Sequence, residues 1–161
     1  MRLSLVCLML GLSSCSGSGF HLKGADPMVM QGRTLAIEGG ATNAEFVALV
    51  KLALQGRGAV LTDAANAELV VKMVSVTESR RVSGYSSTRA VSGFRYMTEA
   101  NFTLQPKGAV APISDSVAQS QSQTYDSDYV LGTQEEAEQI KASLRREVAR
   151  LLALKVAAFK T

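Results

Sequence analysis

The sequence predicts an α+β domain in which two helices pack on one face of a small mixed, mostly antiparallel sheet. Three observations lead to this prediction. Apolar residues recur at helical spacing in two segments, apolar and polar residues alternate over long stretches between them, and glycine, proline and serine separate the segments. An order of strand, helix, strands and helix is typical of this class, and a hydrophobic content of 47% is enough for a packed core.

A secretory signal is expected ahead of this domain. Arg2 precedes a short apolar run, Leu3 to Leu12, and small residues follow it, as in signal peptides. The tetrapeptide Leu12-Ser13-Ser14-Cys15 resembles a bacterial lipobox, where the peptidase cuts before a cysteine that carries the lipid. We therefore expect residues 1–14 to be a lipoprotein signal peptide and Cys15 to be lipidated. An ordinary secretory signal with a chance cysteine is the alternative.

Lipidation would fix both the compartment and the cysteine chemistry. Three acyl chains exceed the two signals that stable anchoring needs. In many Gram-negative bacteria a residue such as Ser16 after the cysteine, rather than aspartate, sends a lipoprotein to the outer membrane. Residues 15–19 would form a flexible, lipidated tether. Because Cys7 leaves with the signal, no thiol would remain for a disulfide, a metal site or catalysis.

The first elements of the mature domain are a short strand and a helix. Thr34 to Glu38 alternates in polarity and stops at two glycines, which predicts the strand. The helix is predicted to start at Thr42, because residues 42–45 form a capping box, and to end before Gly56. A minor strand is predicted from Ala59 to Thr62.

Long antiparallel strands are predicted in the middle of the chain. Leu69 to Glu78 is rich in valine and methionine, and the serine- and glycine-rich segment Arg80 to Thr88 is expected to include a turn. Further along the chain, five apolar residues share one parity and would face the core, namely Phe94, Tyr96, Ala100, Phe102 and Leu104. The outward-facing residues are Arg95, Glu99, Asn101 and Thr103. Ile113 to Tyr125 is predicted to be a polar strand, with a polar linker as the alternative.

The last helix is predicted to start at a second capping box, residues 133–136, and to end near Ala158. Acidic residues in its first turn would suit the positive end of the helix dipole. Its apolar stripe consists of Ala137, Ile140, Leu144, Val148, Leu151 and Leu152. Its solvated side is expected to carry Lys141, Arg145, Arg146 and Arg150.

Charge and motifs narrow the classes of function. The formal charge of +3, or +2 once Arg2 is removed, is too small for a nucleic-acid binder. His21 is the only histidine, no hydrolase signature is present, and no calcium loop follows Asp126 and Asp128. We therefore expect a protein that is not an enzyme and has no catalytic residues, metal site or cofactor, and we interpret His21 as structural.

Three arginines form the main candidate binding site. Arg80, Arg81 and Arg89 flank the serine- and glycine-rich segment and could converge at one end of a hairpin. The planar guanidinium group suits bidentate contacts to phosphate. The alternative is a solvated turn whose charges keep a sheet edge soluble.

The amino-terminal motif carries a family resemblance. Cys15, followed by Gly19-Phe20-His21-Leu22-Lys23-Gly24, resembles the mature start of the lipopolysaccharide-assembly lipoproteins, the LptE family. The later pattern is similar at Ser75-Val76, Phe94-Arg95-Tyr96, Tyr125-Asp126, Tyr129-Val130-Leu131-Gly132 and Gln134-Glu135-Glu136. Two features depart from the family. The tether is longer, and Thr133 stands where some members have a lysine implicated in lipopolysaccharide contact.

The resemblance implies that residues 20–161 form a single LptE-like domain of an outer-membrane lipoprotein. Such a protein plugs the large, LptD-like β-barrel subunit of the lipopolysaccharide translocon, helps it to assemble and can bind lipopolysaccharide. The partners implied are thus the barrel, lipopolysaccharide and the outer membrane through the lipid anchor, but no nucleic acid. Because lipid A is phosphorylated, Arg80, Arg81 and Arg89 become lipopolysaccharide-binding candidates, and Arg89 lies nearest the family's basic residue in this hairpin. An accessory lipoprotein of another envelope transport or assembly system is the alternative.

Overall fold

A computed structural model describes residues 30, 32–39, 43–124 and 130–160, with only the backbone at 130–133. The described residues form five strands and two helices. The elements are β1 (Thr34–Glu38), α1 (Ala44–Gln55), β2 (Val60–Leu61), β3 (Leu69–Tyr85), β4 (Val91–Pro106), β5 (Ile113–Thr124) and α2 (Val130–Ala158). The strand order is β2-β1-β3-β4-β5. β1 pairs in parallel with β2 and β3, whereas β3, β4 and β5 are antiparallel. The predicted α+β class with a mixed, mostly antiparallel sheet is confirmed.

The core lies between both helices and one face of the sheet. On this side β4 buries every second residue from Tyr96 to Leu104, all of them apolar except Thr98, and β3 does the same only from Leu69 to Met73. The buried cluster includes Phe46, Val50 and Leu54 from α1, Val148, Leu152 and Val156 from α2, and Leu69, Val71, Phe102 and Leu104 from the sheet. The apolar stripe predicted for the last helix is therefore confirmed.

The opposite face of the sheet is rich in hydroxyl groups, and we call it the open face. Strand register and alternation place the following residues of β3, β4 and β5 on it. They are Ser75, Thr77, Ser79, Arg81, Arg95, Met97, Glu99, Asn101, Thr103, Ser116, Ser120 and Ser122. The outward parity predicted for β4 is thus confirmed.

The turn between β3 and β4 comes later than predicted. β3 does not stop near Glu78 but continues to Tyr85, because its serine- and glycine-rich end pairs with β4 as far as Val91. The turn closes where the N–H of Arg89 donates to the carbonyl oxygen of Ser86 at 2.9 Å. Arg89 has φ +63°, the left-handed conformation. Arg80 and Arg81 consequently lie within a strand rather than at the turn.

Both predicted helix starts are wrong. α1 begins at Ala44, with Asn43 as an N-cap that makes no side-chain capping bond, and Thr42 lies outside the described residues. α2 begins at Val130, so Thr133 is already inside the helix and the first turn carries no acidic residue. The carboxylate of Glu136 instead accepts a hydrogen bond from Gln123 at 2.8 Å. A tertiary contact has replaced the local capping pattern.

The polar segment after β4 is a strand, and the linker alternative is wrong. β5 pairs with β4 from Ile113 opposite Leu104 to Thr124 opposite Gly93. The side chains of Val117 and Gln123 are buried, and most of the other side chains of β5 are exposed. The predicted strands β1 and β2 and the end of α2 at Ala158 are also confirmed.

Some predicted features cannot be placed in the fold. Cys15, His21, Asp126 and Asp128 lie outside the described residues. Within the described part of the chain, neither helix combines the length and the apolar character needed to cross a bilayer.

Candidate functional site

The β3–β4 hairpin positions all three predicted arginines. Arg80 and Arg81 are consecutive in β3, so their side chains point to opposite faces of the sheet. Arg80 lies on the helix side, where its guanidinium carbon is 4.6 Å from the centre of the Phe94 ring. Arg81 is exposed on the open face, and Arg89 occupies the turn. The three arginines therefore share one end of the sheet but not one face.

Arg95 joins Arg81 on the open face. The two residues are directly opposite each other in the β3–β4 ladder. Like charges at such a position destabilise a sheet. Among the described residues, the ion pairs involve Lys141, Arg145, Arg150 and Lys155, and neither Arg81 nor Arg95 has a carboxylate within ion-pair distance. The pairing leaves a local double positive charge.

A shallow depression surrounds this pair of arginines. Its volume is about 430 Å³, and it is lined by Ser79, Arg81, Val82, Ser83, Arg95, Met97 and Ser120. The Nε of Arg95 also donates to the hydroxyl oxygen of Ser122 at 3.4 Å, a long hydrogen bond that turns this side chain toward β5. Positive charge, hydroxyl donors and one methionine thus meet at one place.

A hydrogen-bonded chain on the other face holds this part of the sheet against α2. The hydroxyl of Tyr96 donates to Oε1 of Gln123 at 3.0 Å, and Nε2 of Gln123 donates to Glu136 at 2.8 Å. Tyr96 and Gln123 are both buried. Because a buried polar group is costly unless it is hydrogen-bonded, the chain links β4, β5 and α2 specifically.

Arg145 provides a second link between α2 and the sheet, in this case to β3. Sequence analysis assigned Arg145 to the solvated side of α2, but its Nε donates to Oε1 of Glu78 at 2.5 Å and its Nη2 to Oε2 at 3.2 Å. The hydrogen bonds to Glu78 raise the pKa of Arg145 above its usual range. Lys141 and Arg150 instead pair with carboxylates of their own helix, and Arg146 is exposed.

The open-face pair can hold an anion but cannot transfer protons. An arginine side chain stays protonated in proteins and only donates hydrogen bonds. In the described ranges, no group of three or more histidine, cysteine or acidic residues could hold a metal ion. The arrangement therefore has the chemistry of a binding site. Sequence reasoning missed the role of Arg95 because only the strand register reveals its partner; its outward parity was the available signal.

The described fold is similar to those of solved lipoproteins, and a family model also matches the chain. The family model described as LptE, lipopolysaccharide-assembly, matches residues 32–156. Rare lipoprotein B from Shewanella oneidensis is similar at a TM-score of 0.70 and 17% identity, over 78% of this chain and 95% of that chain. A minor lipoprotein from Acinetobacter baumannii is similar at a TM-score of 0.65 and 15% identity, over 78% of this chain and 91% of that chain.

A third solved structure extends this comparison. The uncharacterized lipoprotein B from Nitrosomonas europaea is similar at a TM-score of 0.67 and 13% identity, over 79% of this chain and 83% of that chain. No curated protein sequence matches the chain. At these identities the structural likenesses show the fold alone, whereas the family model spans nearly all of the described elements.

Proposed function

Since this chain belongs to the lipopolysaccharide-assembly family LptE, we propose that it plugs the β-barrel subunit of the outer-membrane lipopolysaccharide translocon, assists its assembly and binds lipopolysaccharide. The observation that carries the proposal is the family match over residues 32–156, which runs from β1 through most of α2. Membership makes the chain an accessory lipoprotein of lipopolysaccharide assembly, and the plug and the ligand are the proposed part.

The open face supports the plug. The lumen of a membrane β-barrel is polar, so a protein that fills it has to offer hydrogen-bonding groups instead of an apolar surface. Serine, threonine and asparagine hydroxyl and amide groups dominate the open face, as in Ser75, Thr77 and Asn101. The exposed side chains of β5, mostly serine and glutamine, extend that surface to the sheet edge.

Anchoring at the outer membrane through Cys15 completes the proposal. Tethering beside the barrel would raise the local concentration of the plug and favour its insertion. Mass spectrometry of the mature amino terminus should find acylated Cys15. An unmodified terminus at another residue would exclude this anchor.

The test of the proposed function is depletion followed by complementation. Removing the protein should lower the amount of folded translocon barrel in the outer membrane and reduce surface lipopolysaccharide, while an unrelated outer-membrane barrel keeps its normal level. The tagged full chain should co-purify with the translocon barrel. Normal barrel assembly in the depleted cells, with no second copy of the gene, would contradict the proposal. Co-purification with a different envelope complex would favour an accessory lipoprotein of another transport system.

A further inference from the structure

We propose that Arg81 and Arg95 together bind one phosphate monoester group on the open face, and that Arg80 takes no part in this site. The inference rests on the proposed function only in that lipopolysaccharide would supply the phosphate. The proposed phosphate site consists of two arginines on neighbouring strands, Arg81 on β3 and Arg95 on β4. Arg95 is thereby added to the predicted binding residues.

The pairing of two like charges is the first argument. Side chains opposite each other in an antiparallel ladder have Cβ atoms about 4.5–5.5 Å apart, so the two arginine side chains start close together. Arg95 can join Arg81 at one phosphate by exchanging its long hydrogen bond to Ser122 for the ligand. The acidic residue nearest along β4 on this face, Glu99, is four residues from Arg95, or about 13 Å at the rise of a strand. Glu99 accepts a hydrogen bond from Asn101 at 3.5 Å. A bound dianion would relieve the repulsion that the fold leaves uncompensated.

The surrounding side chains are the second argument. The hydroxyl groups of Ser79, Ser83 and Ser120 line the same depression as the two arginines. They can donate to phosphate oxygens that the guanidinium groups leave free. The methionine in the wall, Met97, is only partly buried and offers an apolar contact beside the charge. A phosphate carried on a sugar fits this mixture of donors and apolar surface.

The charge and shape of the site favour a monoester over a diester. A phosphate monoester carries a charge of about −1.5 to −2 at neutral pH and has three terminal oxygens. Two guanidinium forks can each contact a pair of these oxygens. A phospholipid diester has a single negative charge and two terminal oxygens, so it matches only one of the two arginines.

Arg80 is excluded by the sheet itself. Its side chain projects from the helix-facing side of the sheet, where its guanidinium carbon lies 4.6 Å from the centre of the Phe94 ring. This cation–π contact already engages the guanidinium. Arg80 is adjacent to Arg81 in sequence and equal in charge. It therefore provides a matched control for every effect that depends on charge alone.

Binding of purified lipopolysaccharide to the purified full chain tests the site. Arg81→Gln and Arg95→Gln should each weaken binding roughly tenfold or more, the scale of a charge-assisted hydrogen bond, and Arg80→Gln should change it less than about twofold, as expected for an exposed charge that makes no direct contact. Enzymatic removal of the lipid A phosphates should weaken wild-type binding to the level of the Arg81→Gln/Arg95→Gln variant. Vesicles of phosphatidylglycerol should not discriminate between the wild type and that variant. Equal losses for Arg80→Gln and Arg81→Gln, or a phosphate dependence that persists in the double variant, would overturn the proposal.

Thermal unfolding with inorganic phosphate gives an independent readout. Without phosphate, the double variant should be at least as stable as the wild type, because the substitutions remove a repulsion. Added phosphate should raise the melting temperature of the wild type and of Arg80→Gln but not of the double variant, with chloride at equal ionic strength as the control. An equal rise in all three proteins would also overturn the proposal. Failure of the site leaves co-purification with the barrel intact, whereas failure of the proposed function abolishes co-purification of the wild type.

Discussion

At the scale of single residues, buried polar groups decide how the sheet is joined to α2. Gln123 is 3% exposed and stands between the hydroxyl of Tyr96 and the carboxylate of Glu136. No buried side-chain nitrogen or oxygen among the described residues lacks a hydrogen-bond partner. Because each partner of such a chain depends on the next, its central residue should be the most sensitive position.

Replacing Gln123 therefore gives a residue-scale prediction. Gln123→Leu leaves the Tyr96 hydroxyl buried without an acceptor, and we expect the free energy of unfolding to fall by about 1–3 kcal/mol. Urea denaturation monitored by circular dichroism measures this change. In a Tyr96→Phe background the same substitution should cost less, since the hydroxyl that would be stranded is gone. Equal costs in both backgrounds would show that the hydrogen bond does not contribute.

At the scale of elements, β5 is an edge strand whose first half is fastened to α2. Nζ of Lys155 contacts Oδ1 of Asp115 at 2.6 Å and donates to the carbonyl oxygen of Ser116 at 2.8 Å. The hydrogen bond from Lys155 lowers the pKa of Asp115 below its usual range. A carboxyl group whose pKa is lowered by folding stabilises the native state above its unfolded pKa, and this contribution disappears as the pH falls through the folded pKa.

The pH dependence of Asp115→Asn follows from that sign. At pH 7 the substitution should lower the free energy of unfolding by up to about 1 kcal/mol, since both side chains of the pair are substantially exposed. The difference from the wild type should shrink below pH ~4, where the unfolded carboxyl takes up its proton. Denaturation at pH 7 and pH 3 measures it, with Asp63→Asn in an exposed turn as the control. A loss of stability that is the same at both pH values would contradict this explanation.

The elements also show what the sequence can and cannot predict. Period-two alternation predicted the core and open faces of β4, because burial on one side of a sheet imposes that period. The predicted start of α2 was wrong because Glu136 bonds to Gln123 in β5 instead of to its own helix end. The Arg81–Arg95 pair depends on the register of two strands, a relation between distant residues that no local pattern contains. Arg80 and Arg81 are adjacent in the sequence, but successive side chains of a strand point to opposite faces of the sheet, so the two arginines are separated.

At the scale of the whole molecule, the core and the proposed binding groups lie in different layers. The helices and the inner face of the sheet form the core, where Phe102 is 1% exposed. The open face and the hairpin end carry the polar and charged groups. Substitutions of charge on the outside should therefore leave the fold largely unchanged, whereas a cavity in the core should impair every proposed function together.

Comparing two variants tests this separation. The triple variant Arg80→Asp/Arg81→Asp/Arg89→Asp should lose lipopolysaccharide binding while its circular dichroism spectrum and its co-purification with the barrel stay near wild type. Phe102→Ala should lower the free energy of unfolding by about 3–5 kcal/mol, through lost burial and the cavity left behind, and reduce ligand binding and barrel assembly in parallel. Unchanged lipopolysaccharide binding by a folded triple variant would remove the arginines from the ligand site and leave the plug standing. Loss of barrel association in that folded variant would show that the two activities share one surface.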